Sequence, residues 1–339
     1  MLYNMPPPDA PRLRDTVGRL VVFNCHEAWV HQLDGLPYDL DVVVGLKGRY
    51  AERWDNAMRP LPARAREVRL PEVRTDDVSC VVTHNITDLL DVKAFDAPKI
   101  LVLHSTLAGR LHTEQSDLDP ARASEVLHVY AERAGVHVVA VSELKGRSWG
   151  FTQDVVELSA DPGAYPEPTC ELASGLRVSN FVQRRREILC MDLHDAAFAG
   201  LPLRIVGHNP ELPGVRAAGS WNELKEILRV HRFFVHTADP RLEDGYNMAT
   251  LEAMAAGLPV LGNRHPTSPI EHEQSGFLSD DPRELREYAT RLLEDRDLAL
   301  RMGRAARRTV EERFHVQRFR AGFERSIATA RAKWRTRRR

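Results

Sequence analysis

No stretch of the chain approaches the roughly 20 consecutive apolar residues that a membrane-spanning helix requires. The opening MLYNMPPPDAPRLRD is proline-rich and polar and lacks the apolar core of a secretory signal. Cysteine is scarce: Cys25, Cys80, Cys170 and Cys190 lie far apart with no CxxC pair, which argues for reduced thiols rather than a disulfide framework or a zinc site. These absences lead to the expectation of a cytoplasmic protein with no metal and no cofactor. Charge of one sign is missing as well, since the formal net charge is −1, so no general field draws nucleic acid or anionic membrane. Nor does a GxGxxG follow the first strand-like run, where FNCHEAW stands instead, which argues against a nicotinamide dinucleotide site of the usual kind.

What is present is a chain of 339 residues, enough for about two domains of roughly 150 residues each, with a cleft between them. Short β-branched runs at 20–24, 41–44, 79–83, 99–103 and 137–141 leave room for helices between them, the spacing of βα units around a parallel sheet. Asp119-Pro120 and Gly135 bound one helix clearly, by N-cap, first-turn proline and stop. A proline-dense stretch, DPGAYPEP at 161–168, reads as a linker. The alternation then restarts, with strands expected at 176–181, 203–206, 233–236 and 259–262 and helices at 220–229 and from Asp281-Pro282 to about 294. Val316, Phe319, Phe323, Ile327 and Ala330 form one apolar stripe at helical spacing, which something must cover. The expected organisation is an α/β protein with domains at 1–160 and 169–312, followed by a helix and basic tail at 313–339. That tail, RAKWRTRRR, is either solvated or a peripheral contact to the inner face of a membrane.

The segment from 235 to 262, VHTADPRLEDGYNMATLEAMAAGLPVLG, is the most informative. It reads as a strand, a polar loop, a helix opened near Gly245 and stopped by Gly257, and a second strand. A helix opening at the C-terminal end of a parallel strand aims its free amides into the crevice where ligands of such sheets bind. Gly245 is expected on that groove, with the amides of Tyr246, Asn247 and Met248 donating to a diphosphate. Asp244 and Glu252, about two turns apart, would then hold hydroxyls of two different sugars.

The segment resembles the large retaining glycosyltransferase family with two facing Rossmann-like domains, commonly called family 4 of the GT-B type. LEAMAAGLPV matches its signature closely, with Asp244 at the position of the family's first glutamate. HVVAVSELKGRSW, LRIVGHNP and IEHEQSGFL extend the likeness over about 136–323. The resemblance implies two Rossmann-like domains facing across a cleft, the last helix crossing back to the first domain, and metal-independent transfer of a sugar from a nucleotide diphosphate with retained configuration. It implies that Asp244 binds the donor sugar, Gly245 to Met248 the diphosphate, and Glu252 the ribose, with Gly207 near the base and His104 lining the sugar pocket from the other side. LRVSNFVQRRRE carries Asn180 where the family has arginine, so Arg184, Arg185 or Arg186 is left to serve the phosphates, Arg185 and Arg186 foremost. His26 and His84 end neighbouring strands and could face the acceptor, a glycan, lipid or small molecule. The rivals are an epimerase or hydrolase on the same fold, and a non-catalytic binding or scaffold subunit.

Overall fold

The computed structural model describes residues 17–152 and 154–338, so the proline-rich start at 1–15 and the final Arg339 lie outside the described residues. The first sheet contains β1 (Arg19–Phe23), β2 (Asp39–Val43), β3 (Ala65–Val68), β4 (Val78–Thr83), β5 (Lys99–Leu103), β6 (Val136–Ala140) and β7 (Asp154–Val155). Their order is β3-β2-β1-β4-β5-β6-β7. The second sheet contains β8 (Leu172–Val178), β9 (Leu203–Val206), β10 (His231–Val235), β11 (Val260–Gly262) and β12 (Gly276–Leu278), in the order β12-β11-β10-β8-β9. Every pairing in both sheets is parallel. β5 (KILVL) and β6 (VHVVA) are buried at every position, as expected of strands covered on both faces.

Helices fill the crossovers. The first unit has α1 (Glu27–His31), α2 (Ile86–Asp91), α3 (Leu107–Thr113), α4 (Pro120–Ala134) and α5 (Glu143–Trp149); the second has α6 (Met191–Phe198), α7 (Trp221–Val230), α8 (Met248–Ala255), α9 (Pro282–Glu294) and α10 (Arg296–Arg313). Their ends follow the local chemistry: the Asp119 side chain accepts from Arg122 N, Pro120 sits at the first position, and Gly135 closes α4 in the left-handed conformation. Ser220 and Asp281 cap α7 and α9 in the same way.

The last helix, α11 (Val316–Arg338), leaves the second unit and lies against β4, β5 and β6 of the first. Its stripe of Val316, Phe319, Phe323, Ile327 and Ala330 is buried there. The rings of Phe319 and Phe323 stack at 5.8 Å, and Trp29 of α1 meets them edge-on at 5.8 and 5.7 Å. Where the chain crosses, Ala160 N donates to Phe314 O at 3.0 Å. The basic end is not a loose tail. The helix runs on to Arg338, with Arg337 Nη1 donating to Ala134 O at 3.1 Å, Trp334 Nε1 donating to Asp96 at 3.2 Å and Arg338 pairing with Asp96 at 3.2 Å. Among the described residues no helix is long and apolar enough to cross a membrane.

The fully buried Phe323 sits at the centre of this docking, so Phe323→Ala is expected to destabilise the first unit by about 3–5 kcal/mol. A shift of the urea midpoint followed by far-ultraviolet circular dichroism checks this.

Candidate active-site cleft

A cavity of about 550 Å³ separates the C-terminal ends of the two sheets. Each sheet reverses its strand order here, between β1 and β4 in the first and between β8 and β10 in the second, the position where open parallel sheets bind ligands. The first unit contributes His26 after β1, His84 after β4, His104 after β5, and Lys145 from the first turn of α5. Facing them are Arg185, Gly207, Glu243, Asn247, Met248, Ala249 and Glu252.

The two acids of the expected pair both lie at this boundary, and each is already paired by the opposite unit. Asp244 is almost fully buried. Its carboxylate accepts from Ser142 Oγ at 2.7 Å and Thr267 Oγ1 at 3.2 Å and pairs with Lys145 Nζ at 3.1 Å. Glu243 beside it pairs with the same Lys145 Nζ at 2.7 Å and, unlike Asp244, lines the cavity. Burial alone would lower the Lys145 pKa, but Glu243 and Asp244 raise it above the ordinary value. Burial likewise pushes the Glu243 carboxyl up, and Lys145, with the Asp244 amide and Arg185, more than reverses this, leaving it below the ordinary range. Glu252 lines the cavity from α8, held by the buried guanidinium of Arg59, which lies 4.7 Å from the ring centre of Trp221.

The expected phosphate cradle needs correction at two points. Gly245 is buried behind the cleft surface: a Cβ there would stand 2.8 Å from the His265 ring, so its small size accommodates His265 rather than a ligand. Its amide donates to Thr267 Oγ1 at 2.9 Å. Tyr246 turns its side chain away to Glu157 and Phe314. The helix opens two residues later than Gly245, with Asn247 as N-cap accepting from Thr250 N, while Thr250 Oγ1 accepts from Asn247 N at 3.4 Å. The first-turn residues facing the cavity are therefore Met248 and Ala249.

The arginine trio separates. Arg185 lines the cavity and stands 3.9 Å from Glu243. Arg184 pairs with Glu211 at 2.9 Å, and Arg186 turns outward to Asp192 and Asp195, so the expectation that Arg186 serves the site is not met by its geometry. Asn180 accepts from the His208 amide at 2.8 Å and tightens the turn where Gly207, with φ of +144°, passes so close to Ser179 O that a Cβ would sit 2.2 Å away.

On the other wall, His84 Nδ1 and His104 Nε2 share a hydrogen bond of 2.9 Å, and Trp29 abuts both rings edge-on. Burial holds both imidazoles neutral, His84 down to about 3. Cys25 joins them, its Sγ 3.9 Å from His104 Nε2. The ligand atoms of Cys25, His84 and His104 all lie within 4.8 Å of one another, a grouping that the widely spaced cysteines of the sequence do not disclose. His26 stands at the exposed rim.

Sequence reasoning missed Lys145, Arg59 and Trp221. Lys145 carried a local signal, three residues after the strand-end Ser142 that caps α5. Arg59, in the irregular AMRPLP stretch, carried none.

Comparison with known proteins agrees with this architecture. The family described as Glycosyl transferases group 1 matches residues 187–295, from α6 through α9. N-acetyl-alpha-D-glucosaminyl L-malate synthase of Bacillus anthracis is 33% identical over 168 residues, and this match spans 44% of the chain and 43% of that relative, less than half of its length. Among solved structures, Anabaena Alr3699/HepE in complex with UDP and glucose superposes with a TM-score of 0.68 at 14% identity, covering 92% of this chain and 99% of that one. Staphylococcus aureus TarM, solved with UDP and alpha-GlcNAc-glycerol, gives a TM-score of 0.55 at 14% identity, covering 73% of this chain and 55% of TarM. The two parallel sheets facing across a cleft are the GT-B fold.

The Lys145 pair spans that cleft, and its pH dependence has a definite sign. Glu243, with its pKa depressed, stabilises the fold above the ordinary glutamate value of 4.5 and loses that contribution as pH falls through its folded value. Lys145, with its pKa raised, stabilises below the ordinary lysine value of 10.5 and loses its contribution only as pH rises through its folded value. Lys145→Met, which leaves two acids buried without their cation, is expected to cost about 3–5 kcal/mol at neutral pH. Urea denaturation at successively lower pH should show the gap from wild type narrowing as the pH falls toward and through 4.5, because without Lys145 burial raises the Glu243 carboxyl and the variant takes up its proton first.

Proposed function

We propose that the protein is a glycosyltransferase that takes a sugar from a nucleotide diphosphate and passes it, with retention and without a metal, to an acceptor hydroxyl held by the first unit. The observation that carries the reading is the position of Glu252: buried, on the cavity wall, one turn into a helix whose N-terminus opens at the β8/β10 reversal. A ribose bound to Glu252 would place its diphosphate toward Met248, Ala249 and Arg185, and its base toward Gly207 and Trp221. We take the nucleotide to be uridine diphosphate, the ligand bound in the solved HepE and TarM structures.

The roles follow from charge. Partial positive charge at the α8 terminus and the Arg185 guanidinium stabilise charge growing on the leaving phosphate. The bond from the anomeric carbon to the phosphate oxygen breaks as the acceptor oxygen bonds to that carbon from the same face, and the acceptor proton passes to the departing phosphate. Neutral His104 offers a hydrogen bond to the sugar, and Glu243 bounds the sugar from the opposite wall, with Asp244 buried behind it. Arg59 must leave Glu252 when ribose enters, so nucleotide binding exchanges one partner of that carboxylate for another. The domains proposed for this division of labour are 1–160 for the acceptor and 169–312 for the donor, with 313–339 as the crossing helix.

Glu252→Gln is expected to weaken UDP binding by about 10- to 150-fold, the loss of one charge-assisted hydrogen-bond pair, while inorganic pyrophosphate binding stays unchanged. Calorimetry with both ligands checks this, and absence of UDP binding to the wild-type protein at millimolar ligand would favour a scaffold role. His104→Ala should bind UDP as the wild type does yet slow UDP release from a UDP-sugar by about 10²-fold, measured by coupled UDP detection. Rapid consumption of donor with no acceptor present would instead mark a hydrolase or epimerase.

A further inference from the structure

A second cavity, of about 540 Å³, opens beside the cleft within the first unit, and its chemistry differs from that of the first. The two share His84, Asn85, His104 and Arg110 on their walls, so they adjoin at the histidine pair. Away from that junction the walls turn apolar: Leu101 and Leu103 of β5, Leu107 and Leu111 of α3, Leu127 of α4, and Trp149 of α5. The lining also carries Arg110, paired with Glu114, and Arg122, paired with Glu125. Against the leucine and tryptophan walls themselves a sugar hydroxyl would find no partner, a cost of about 1–3 kcal/mol for each group.

The mouth is unusual too. Seven large hydrophobic residues are exposed among the described residues, and four of them, Ile86, Leu90, Leu118 and Val126, belong to this one cavity. Scattered apolar residues on a surface need no explanation, but this clustering on a single pocket does. The pocket is of the size that binds small molecules, and its inner end lies at the proposed reaction centre.

We propose that this pocket holds the hydrocarbon portion of the acceptor, an alkyl or acyl chain whose hydroxyl-bearing head reaches His84 and His104. The inference rests on the glycosyltransferase reading for the role of the chain as acceptor, but the pocket's preference for hydrocarbon is independent of it. A chain seated between α3 and α4 with its polar end at the histidine pair presents its hydroxyl to the cleft, where the donor sugar would be held. The acceptor is then an amphiphile rather than a wholly polar glycan.

The test uses the full chain and a homologous series of 1-alkanols from butanol to decanol, with displacement of 1-anilinonaphthalene-8-sulfonate as readout. Affinity is expected to rise about three- to fourfold with each added methylene. The double variant Leu118→Arg with Val126→Arg, altered only at exposed rim positions, should keep the wild-type melting temperature and UDP affinity and lose at least about tenfold in decanol affinity, the equivalent of two buried methylenes. Affinity independent of chain length overturns the proposal, as does undiminished decanol binding in the double variant. If that variant unfolds, Ile86→Gln and Leu90→Gln replace it, with the same loss expected and the same outcome counting against the idea. Failure of UDP binding with intact alkanol binding would count against the reading of the cleft alone.

Discussion

The architecture hangs on a lysine taken out of water. Lys145 rises from the first unit and is held 2.7 and 3.1 Å from two carboxylates of the second, all three groups buried or nearly so. In such surroundings an ion pair is worth little against an apolar substitute, yet losing one member of it is severe, because the remaining charge has no solvent to turn to. The contact is thus a constraint on relative position more than a source of net stability. Arg59 on Glu252 and Thr106 Oγ1 donating to Leu242 O at 2.7 Å span the same boundary. The carboxylates of Glu243, Asp244 and Glu252 are engaged by first-unit side chains, so a ligand that reaches for them must compete with contacts the protein makes to itself.

How much of this could be read from the residues depended on whether the relevant physics was local. The central strands were legible because burial on both faces demands unbroken β-branched runs, as in KILVL and VHVVA. The edges were not: β3 is AREV with one buried residue, β7 is two residues long, and β12 is the short GFL. α11 declared itself through its stripe, but its last turn did not, since Ala134 O and Asp96, which hold Arg337 and Arg338, lie about 200 residues earlier in the chain.

The site divides along the same line. Glu252 was singled out because its neighbours along the chain form a dense local pattern, whereas Asn247 was expected only as an amide donor, and its role as the cap of α8 was not read. Gly245 was expected on the groove and lies behind it: its smallness serves His265, twenty residues on, and no short-range pattern carries that information. Lys145, Arg59 and the joining of Cys25, His84 and His104 arise only when separate strand ends are brought side by side. Parallel sheets do this as a matter of topology, gathering the C-terminal ends of β1, β4 and β5 at one edge whatever their separation in the chain.

The path of the chain between the units has a mechanical consequence. It crosses twice, once through the segment at 161–168 and once between α10 and α11, and the two crossings touch: Ala160 and His315 form an isolated parallel bridge, and Ala160 N donates to Phe314 O. Two strands fastened together at one edge of a gap behave as a single pivot. A movement that slid one crossing past the other would break this bridge, whereas a rotation of the halves about it would leave the bridge intact.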